Sequence, residues 1–146
     1  MDVRQILQAK PQNAVYSVTS TNMVYDALQL MAEKNIGAVL VIDADALVGI
    51  FSERDYARKG ILQGRSSRET PVHEVMTAKL ITIEPDQRLE DCMVIMSERH
   101  IRHLPVLEKD GTLVGIISIN DVVSAIIRNQ KVQINSLESY ISGSPF

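Results

Sequence analysis

Two aspartates, Asp55 and Asp121, each stand three residues after a serine, Ser52 and Ser118, which in turn stand three residues after a glycine, Gly49 and Gly115. An ionised carboxylate accepts several hydrogen bonds, and its two oxygens suit the vicinal hydroxyls of a ribose. A strand that ends in Gly-x-x-Ser and opens a helix presents unpaired N–H groups and the positive end of the helix dipole. Such a turn can receive a phosphate, with the serine hydroxyl as an added donor. The same Ser-x-x-Asp spacing is also a capping box, worth about 1 kcal/mol and needing no ligand. A single copy does not choose between the two. Here the pattern recurs at an offset of 66, as Gly49-Ile50-Phe51-Ser52-Glu53-Arg54-Asp55 and Gly115-Ile116-Ile117-Ser118-Ile119-Asn120-Asp121, and with its surroundings it becomes far more specific.

Those surroundings repeat as well. Val18, Asp26, Leu30, Met31, Glu33 and Ile36 align with Ile83, Asp91, Ile95, Met96, Glu98 and Ile101 at an offset of 65. The lead-in Val3-Arg4-Gln5-Ile6-Leu7-Gln8-Ala9-Lys10 resembles Val72-His73-Glu74-Val75-Met76-Thr77-Ala78-Lys79, with Pro11-Gln12-Asn13-Ala14 as an extra piece after the first. Gly111 is the residue that lengthens the offset, and Asp110-Gly111 between apolar runs signals a hairpin. Val24, Leu28 and Met31, like Leu89, Met93 and Met96, recur at helical spacing. Ser20-Thr21-Asn22 and Glu84-Pro85-Asp86 supply starts for these helices. Apolar runs at 38–42 with 47–51, and 104–107 with 113–117, read as buried hairpins. Ser52 and Ser118 then cap helices over 54–62 and 120–128, and short strands at 16–18 and 81–83 lead each copy.

The expected fold is α+β, two β-α-β-β-α repeats: repeat one at 1–64, a polar linker at 65–70, repeat two at 71–129, and a helical tail at 130–146. The tail carries an apolar stripe, Ile134, Leu137 and Ile141, able to cap the core or to join two copies of the chain. A domain of about 60 residues buries only about 60% of its unfolded surface. Face-to-face packing with pseudo-twofold symmetry is therefore expected, with two clefts between the repeats and a turn at the mouth of each.

Bulk properties narrow the function. The chain has 146 residues, 45% hydrophobic and 23% charged, as in a soluble globular protein. No apolar run approaches the roughly 18 residues of a membrane span, and the N-terminus lacks a signal-peptide layout, so a cytoplasmic location is expected. A net charge of −3 without a basic run speaks against general nucleic-acid binding. Cys92 has no partner for a disulfide and reads as a small apolar core group. A metal would need His73, His100, His103 or Cys92 to converge, and the run containing Pro105 breaks helical ligand spacing. No nucleophile elbow, Walker loop or pair of catalytic carboxylates is present, so no enzyme activity is expected.

The strands Asn35-Ile36-Gly37-Ala38-Val39-Leu40-Val41 and His100-Ile101-Arg102-His103-Leu104-Pro105-Val106, each followed by its Gly-x-x-Ser-x-x-Asp turn, resemble a tandem pair of CBS (cystathionine beta-synthase) domains, a Bateman module. Ser52-Glu53-Arg54-Asp55-Tyr56-Ala57-Arg58-Lys59 resembles the stand-alone bacterial type most closely. The resemblance implies a regulatory module binding AMP, ADP, ATP or NAD(H), with S-adenosylmethionine as an alternative ligand. It also implies a homodimer that acts on another protein. Ser52, Ser118, Asp55 and Asp121 then hold ribose or phosphate. Ser17, Val18, Ile36, Gly37 and Ala38 in copy one, and Thr82, Ile83, Ile101, Arg102, His103, Leu104 and Pro105 in copy two, match the base-contacting segments. Gly37 equally reads as a helix C-cap.

The copies differ in charge. Arg54, Arg58 and Lys59 accompany Asp55, whereas Asn120 and two valines surround Asp121, so the second turn reads as poorer in phosphate-binding cations. Arg102 and His103 compensate at the strand start, more plausibly than Arg99 and His100, which suit a solvated helix end. Nucleotide binding would act by shifting the population of two arrangements of the repeats. A dimerisation module with empty clefts is the competing reading.

Overall fold

A computed structural model describes residues 1–10 and 14–142. The insertion Pro11-Gln12-Asn13 lies outside the described residues, as does the end of the expected tail, 143–146. Two compact α+β units form, one from Ala14–Ile81 and the other from Met1–Asn13 with Thr82–Phe146.

In the first unit, β1 (Ser17–Val18) runs parallel to β2 (Ala38–Asp43), which pairs antiparallel with β3 (Ala46–Ser52). The β2–β3 turn is tight because Ala44 and Asp45 are both left-handed, at φ 47° and 65°. Helix α2 (Val24–Lys34) buries Val24, Ala27 and Met31 against Val39, Val41 and Phe51. It begins later than expected, because Ser20 is otherwise engaged. The N–H and hydroxyl of Ser20 both donate to Asp43, holding that carboxyl below its ordinary 3.8. The connector serves as the cap instead: Thr70 and Ser67 carbonyls accept the N–H groups of Val24 and Tyr25, both at 2.9 Å. Asn35, not Gly37, takes the left-handed C-cap position (φ 53°). Asn tolerates that region better than most residues, which frees Gly37 from the role.

The expected helix at 54–62 is present with changing pitch. A turn of α3 (Glu53–Asp55) passes into a π-helical turn over Tyr56–Gly60 and a 3₁₀ turn over Ile61–Gln63.

The second unit repeats the plan with three differences. Its helix α4 (Leu89–Arg99) starts where Asp91 accepts the N–H of Arg88 at 2.9 Å and ends at a left-handed His100. Strands β4 (His103–Leu107) and β5 (Leu113–Ser118) pair antiparallel around Gly111, whose φ of 90° absorbs the extra residue. The leading strand expected at 81–83 does not form and shrinks to one parallel bridge, Ile83 to Val106. In the first unit Leu40 donates its N–H to the Tyr16 carbonyl at 3.2 Å. Pro105 occupies the position of Leu40 and has no N–H to donate. Finally, α5 runs unbroken over Ile119–Ser142, so the last helix of the repeat and the tail are one element.

The lead-ins are exchanged. Helix α1 (Val3–Gln8) packs with the body of the second copy, burying Val3 and Ile6, while Val72 and Val75 join the core of the first. The same bonds recur in each unit. Val3 N–H donates to Gln87 and Val72 N–H to Asn22, both at 2.8 Å; Arg4 donates to Pro85 and His73 to Ser20.

Candidate ligand site at the two serine–aspartate turns

At the first turn the Asp55 Oδ2 accepts both the N–H and the hydroxyl of Ser52 at 3.0 Å, and Ser52 Oγ accepts the Asp55 N–H at 3.1 Å. This is a complete capping box. The other oxygen, Oδ1, accepts the Thr77 hydroxyl at 3.2 Å and faces Lys59 Nζ at 3.4 Å. Gly37 and Ala38 are brought to this turn: Ala38 pairs with Ser52, and the Gly37 carbonyl accepts the Glu53 N–H at 3.0 Å. Ser17 and Val18 lie further along the sheet, opposite Leu40 and Val41. Ile36 is half-buried, and Arg54 and Arg58 are exposed on the helical run.

The second turn is built alike. Asp121 Oδ2 accepts the Ser118 N–H at 2.8 Å, and Ser118 Oγ accepts the Asp121 N–H at 3.2 Å. The Arg102 carbonyl accepts the Ile119 N–H at 2.8 Å, and His103 pairs with Ser118. Asn120 is exposed beside them, Thr82 is exposed outside any strand, and Ile101 is half-buried. Ile83 and Leu104 are core side chains, 2% and 0% exposed, and Pro105 is buried with its carbonyl accepting the Ile83 N–H. A ligand would meet these three through backbone at most.

One expectation is corrected here. Asp121 does have a cationic neighbour, since Lys10 Nζ lies 3.1 Å from its Oδ2. The lysine arrives on the exchanged lead-in, so spacing around Asp121 gave no sign of it. The motif glycines admit the lead-ins, Gly49 the one at 72–79 and Gly115 the one at 3–10. A Cβ on Gly49 would stand 2.6 Å from Met76 Sδ and 3.1 Å from the Thr77 carbonyl, and one on Gly115 3.0 Å from Leu7 Cδ2. Thr77 and Lys10 are thus the site residues that sequence reasoning missed.

An open depression of about 390 Å³ in the second unit, lined by Arg4, Glu84, Asp86, Glu108, Lys109 and Asp110 around Pro85, includes none of the turn residues. Among the described residues, no group of three or more His, Cys, Asp or Glu side chains is placed to hold a metal ion. Among the described residues, no helix is long and apolar enough to cross a membrane.

A sequence profile of the CBS domain matches residues 3–60 and again 72–128. The chain belongs to the CBS-domain family. The CBS protein CBSX3 of Arabidopsis thaliana, named as mitochondrial, is 39% identical over 149 residues, spanning 97% of this chain and 72% of its own length. Among solved structures, a protein with CBS domains from Burkholderia ambifaria MC40-6 is 53% identical with a TM-score of 0.86, covering 89% of this chain and 96% of that one. The CBS domain pair of protein MJ0100, solved with 5′-methylthioadenosine and S-adenosyl-L-methionine, is 26% identical with a TM-score of 0.75, covering 89% and 98%. The two CBS repeats of the sequence and the two compact units do not coincide, because each repeat lends its lead-in to the other's body.

Proposed function

We propose that this CBS pair is a regulatory module that binds an adenosine-containing ligand at its serine–aspartate turns and reports occupancy to another protein. The observation that carries the reading is the reconstruction of one turn in both units. Each has a shielded carboxylate, 14% and 18% exposed, held by a serine beside a strand-start carbonyl. Of the roughly four acceptor sites of a carboxylate, Asp55 uses three for Ser52 and Thr77 and faces Lys59 as well, so ribose hydroxyls would take the places of Thr77 and Lys59 on Oδ1. The likeness to MJ0100, solved with two adenosyl ligands, supports the ligand class. Within it, AMP, ADP, ATP and NAD(H) are the ligands we favour, because Arg54, Arg58, Lys59 and Lys10 supply cations near the turns. The ligand moves the module between states only by its differential affinity for them.

Calorimetry and thermal shift with AMP, ADP, ATP, NAD, NADH, S-adenosylmethionine and 5′-methylthioadenosine test the reading. A response to one or more is expected, with the ligand recovered unchanged after long incubation. Silence from all of them at millimolar concentration would sink it.

A second reading has its own support. Both carboxylates already serve as helix caps, so the turns are complete without a ligand. On that reading the module only dimerises, and acid extracts of the purified protein carry no ultraviolet-absorbing nucleotide. We also propose a homodimer joined through α5, where Ile134, Leu137 and Ile141 are all exposed in the single chain and follow exposed Val123 and Ile127 at helical intervals of 4, 7, 3 and 4.

A further inference from the structure

In the first unit two groups of Thr77 do two jobs. Its N–H donates to the Ile50 carbonyl at 2.8 Å, and its hydroxyl donates to Asp55 Oδ1 at 3.2 Å. In the second unit a single ammonium does both. Lys10 Nζ donates to the Ile116 carbonyl at 2.9 Å and pairs with Asp121 Oδ2 at 3.1 Å. Ile50 and Ile116, like Asp55 and Asp121, are counterparts at the offset of 66, so equivalent acceptors are met by different donors: in the lead-ins Thr77 aligns with Gln8 and Lys10 with Lys79. A neutral hydroxyl at one carboxylate has become a cation at the other.

Shielding separates this cation from Lys59. Lys10 and Asp121 are only 20% and 18% exposed, whereas Lys59 is 47% exposed and lies 3.4 Å from Asp55. Solvent and salt weaken the exposed charge far more than the shielded one. Charge-assisted hydrogen bonds are roughly twice as strong as neutral ones, and the donor carries a heavy desolvation cost when its anion is taken away.

Resting on the ligand reading above, we propose that Lys10 is a specificity-determining residue of the Asp121 site, selecting adenosyl ligands with a 5′-phosphate over those without one. Ribose hydroxyls that bond Asp121 draw on the carboxylate that now satisfies Lys10. A phosphate compensates the ammonium, a methylthio group offers it nothing, and a sulfonium repels it. At the Asp55 site, where a hydroxyl takes the inner place and the nearby Lys59 is 47% exposed, this bias is weaker.

The test uses AMP and 5′-methylthioadenosine, which share adenosine and differ at the 5′ position, in equilibrium dialysis. Asp55→Asn protein isolates the second site, and adding Asp121→Asn is expected to abolish the remaining binding. Lys10→Gln, which keeps a donor for the Ile116 carbonyl, is expected to weaken AMP about tenfold while leaving 5′-methylthioadenosine unchanged or tighter. Lys10→Arg should retain the preference. Thermal unfolding verifies that each variant is folded, and Lys10→Met replaces Lys10→Gln if the latter is not. Equal weakening of both ligands, or no change in either, would overturn the inference alone. If the unmutated protein binds neither ligand, the functional reading falls and the inference falls with it.

Discussion

Asp55 and Asp121 each hold a helix start as well as standing where a ligand is expected, so removing one has two effects that can be separated. Asp55→Ala and Asp121→Ala should each cost about 1 kcal/mol in urea denaturation, the usual worth of a cap. Asn retains an oxygen for the serine N–H and should cost less, yet still weaken a ribose that needs a full carboxylate. If affinity is untouched by either Ala substitution, the ribose role is wrong. Cys92 illustrates the opposite case, a reactive residue type made inert. It is fully buried in α4, and burial, with the nearby Asp91 carboxylate second, pushes its thiol up to about 11 from 9.0. The folded state therefore favours the protonated thiol. That contribution is complete below about pH 9 and fades as pH rises towards 11. Iodoacetamide at about pH 8 should label Cys92 only after urea is added; rapid labelling of the native protein would contradict this burial.

At the scale of elements, the strand glycines are read best as the seats of the exchanged lead-ins. Gly49→Ala would drive a Cβ to 2.6 Å from Met76 Sδ and 3.1 Å from the Thr77 carbonyl. That carbonyl is pinned by the Ile50 N–H at 3.0 Å and cannot retreat cheaply. Gly115→Ala meets only the tip of Leu7, at 3.0 Å, which can swing aside. Denaturant titration should show a loss of about 1–3 kcal/mol for Gly49→Ala and a smaller one for Gly115→Ala. The reverse order would mean the lead-in contacts are not what the glycines serve. The Ser20–Asp43 link is pH-dependent in the usual carboxylate sense. Its stabilisation is present above the ordinary 3.8 and is lost as pH falls through the lowered value.

For the whole molecule, the exchange makes stability in one half depend on sequence from the other. Deleting residues 1–10 removes Val3 and Ile6, 0% and 1% exposed, together with the backbone bonds to Pro85 and Gln87. Hydrogen exchange should then show amides of 82–128 losing protection while those of 14–81 keep theirs. Loss confined to 14–81 would refute the exchange. The tail is expected to act between chains: Leu137 is 61% exposed, and Leu137→Glu should convert a dimer to a monomer by light scattering with little change in unfolding temperature. An unmutated protein already monomeric at that concentration would remove the role assigned to α5.

What the chain's residues determine by themselves is whatever acts over a few positions. The helical spacing of Val24, Leu28 and Met31, the Asp110-Gly111 hairpin and the Ser-x-x-Asp caps are all local, and repetition made the CBS pair legible. The loss of the strand at 81–83 is a local matter too, since Pro105 has no N–H to donate where Leu40 has one. The exchange of lead-ins was not. Val3 and Ile6 carry the same apolar spacing as Val72 and Val75, so either segment suits either body, and no local signal chooses. Only tertiary packing put Leu7 against Gly115 and Met76 against Gly49, and so delivered Lys10 to Asp121 and Thr77 to Asp55. The two serine–aspartate turns are alike in sequence; the difference between them comes from the partner segment that packing brings to each.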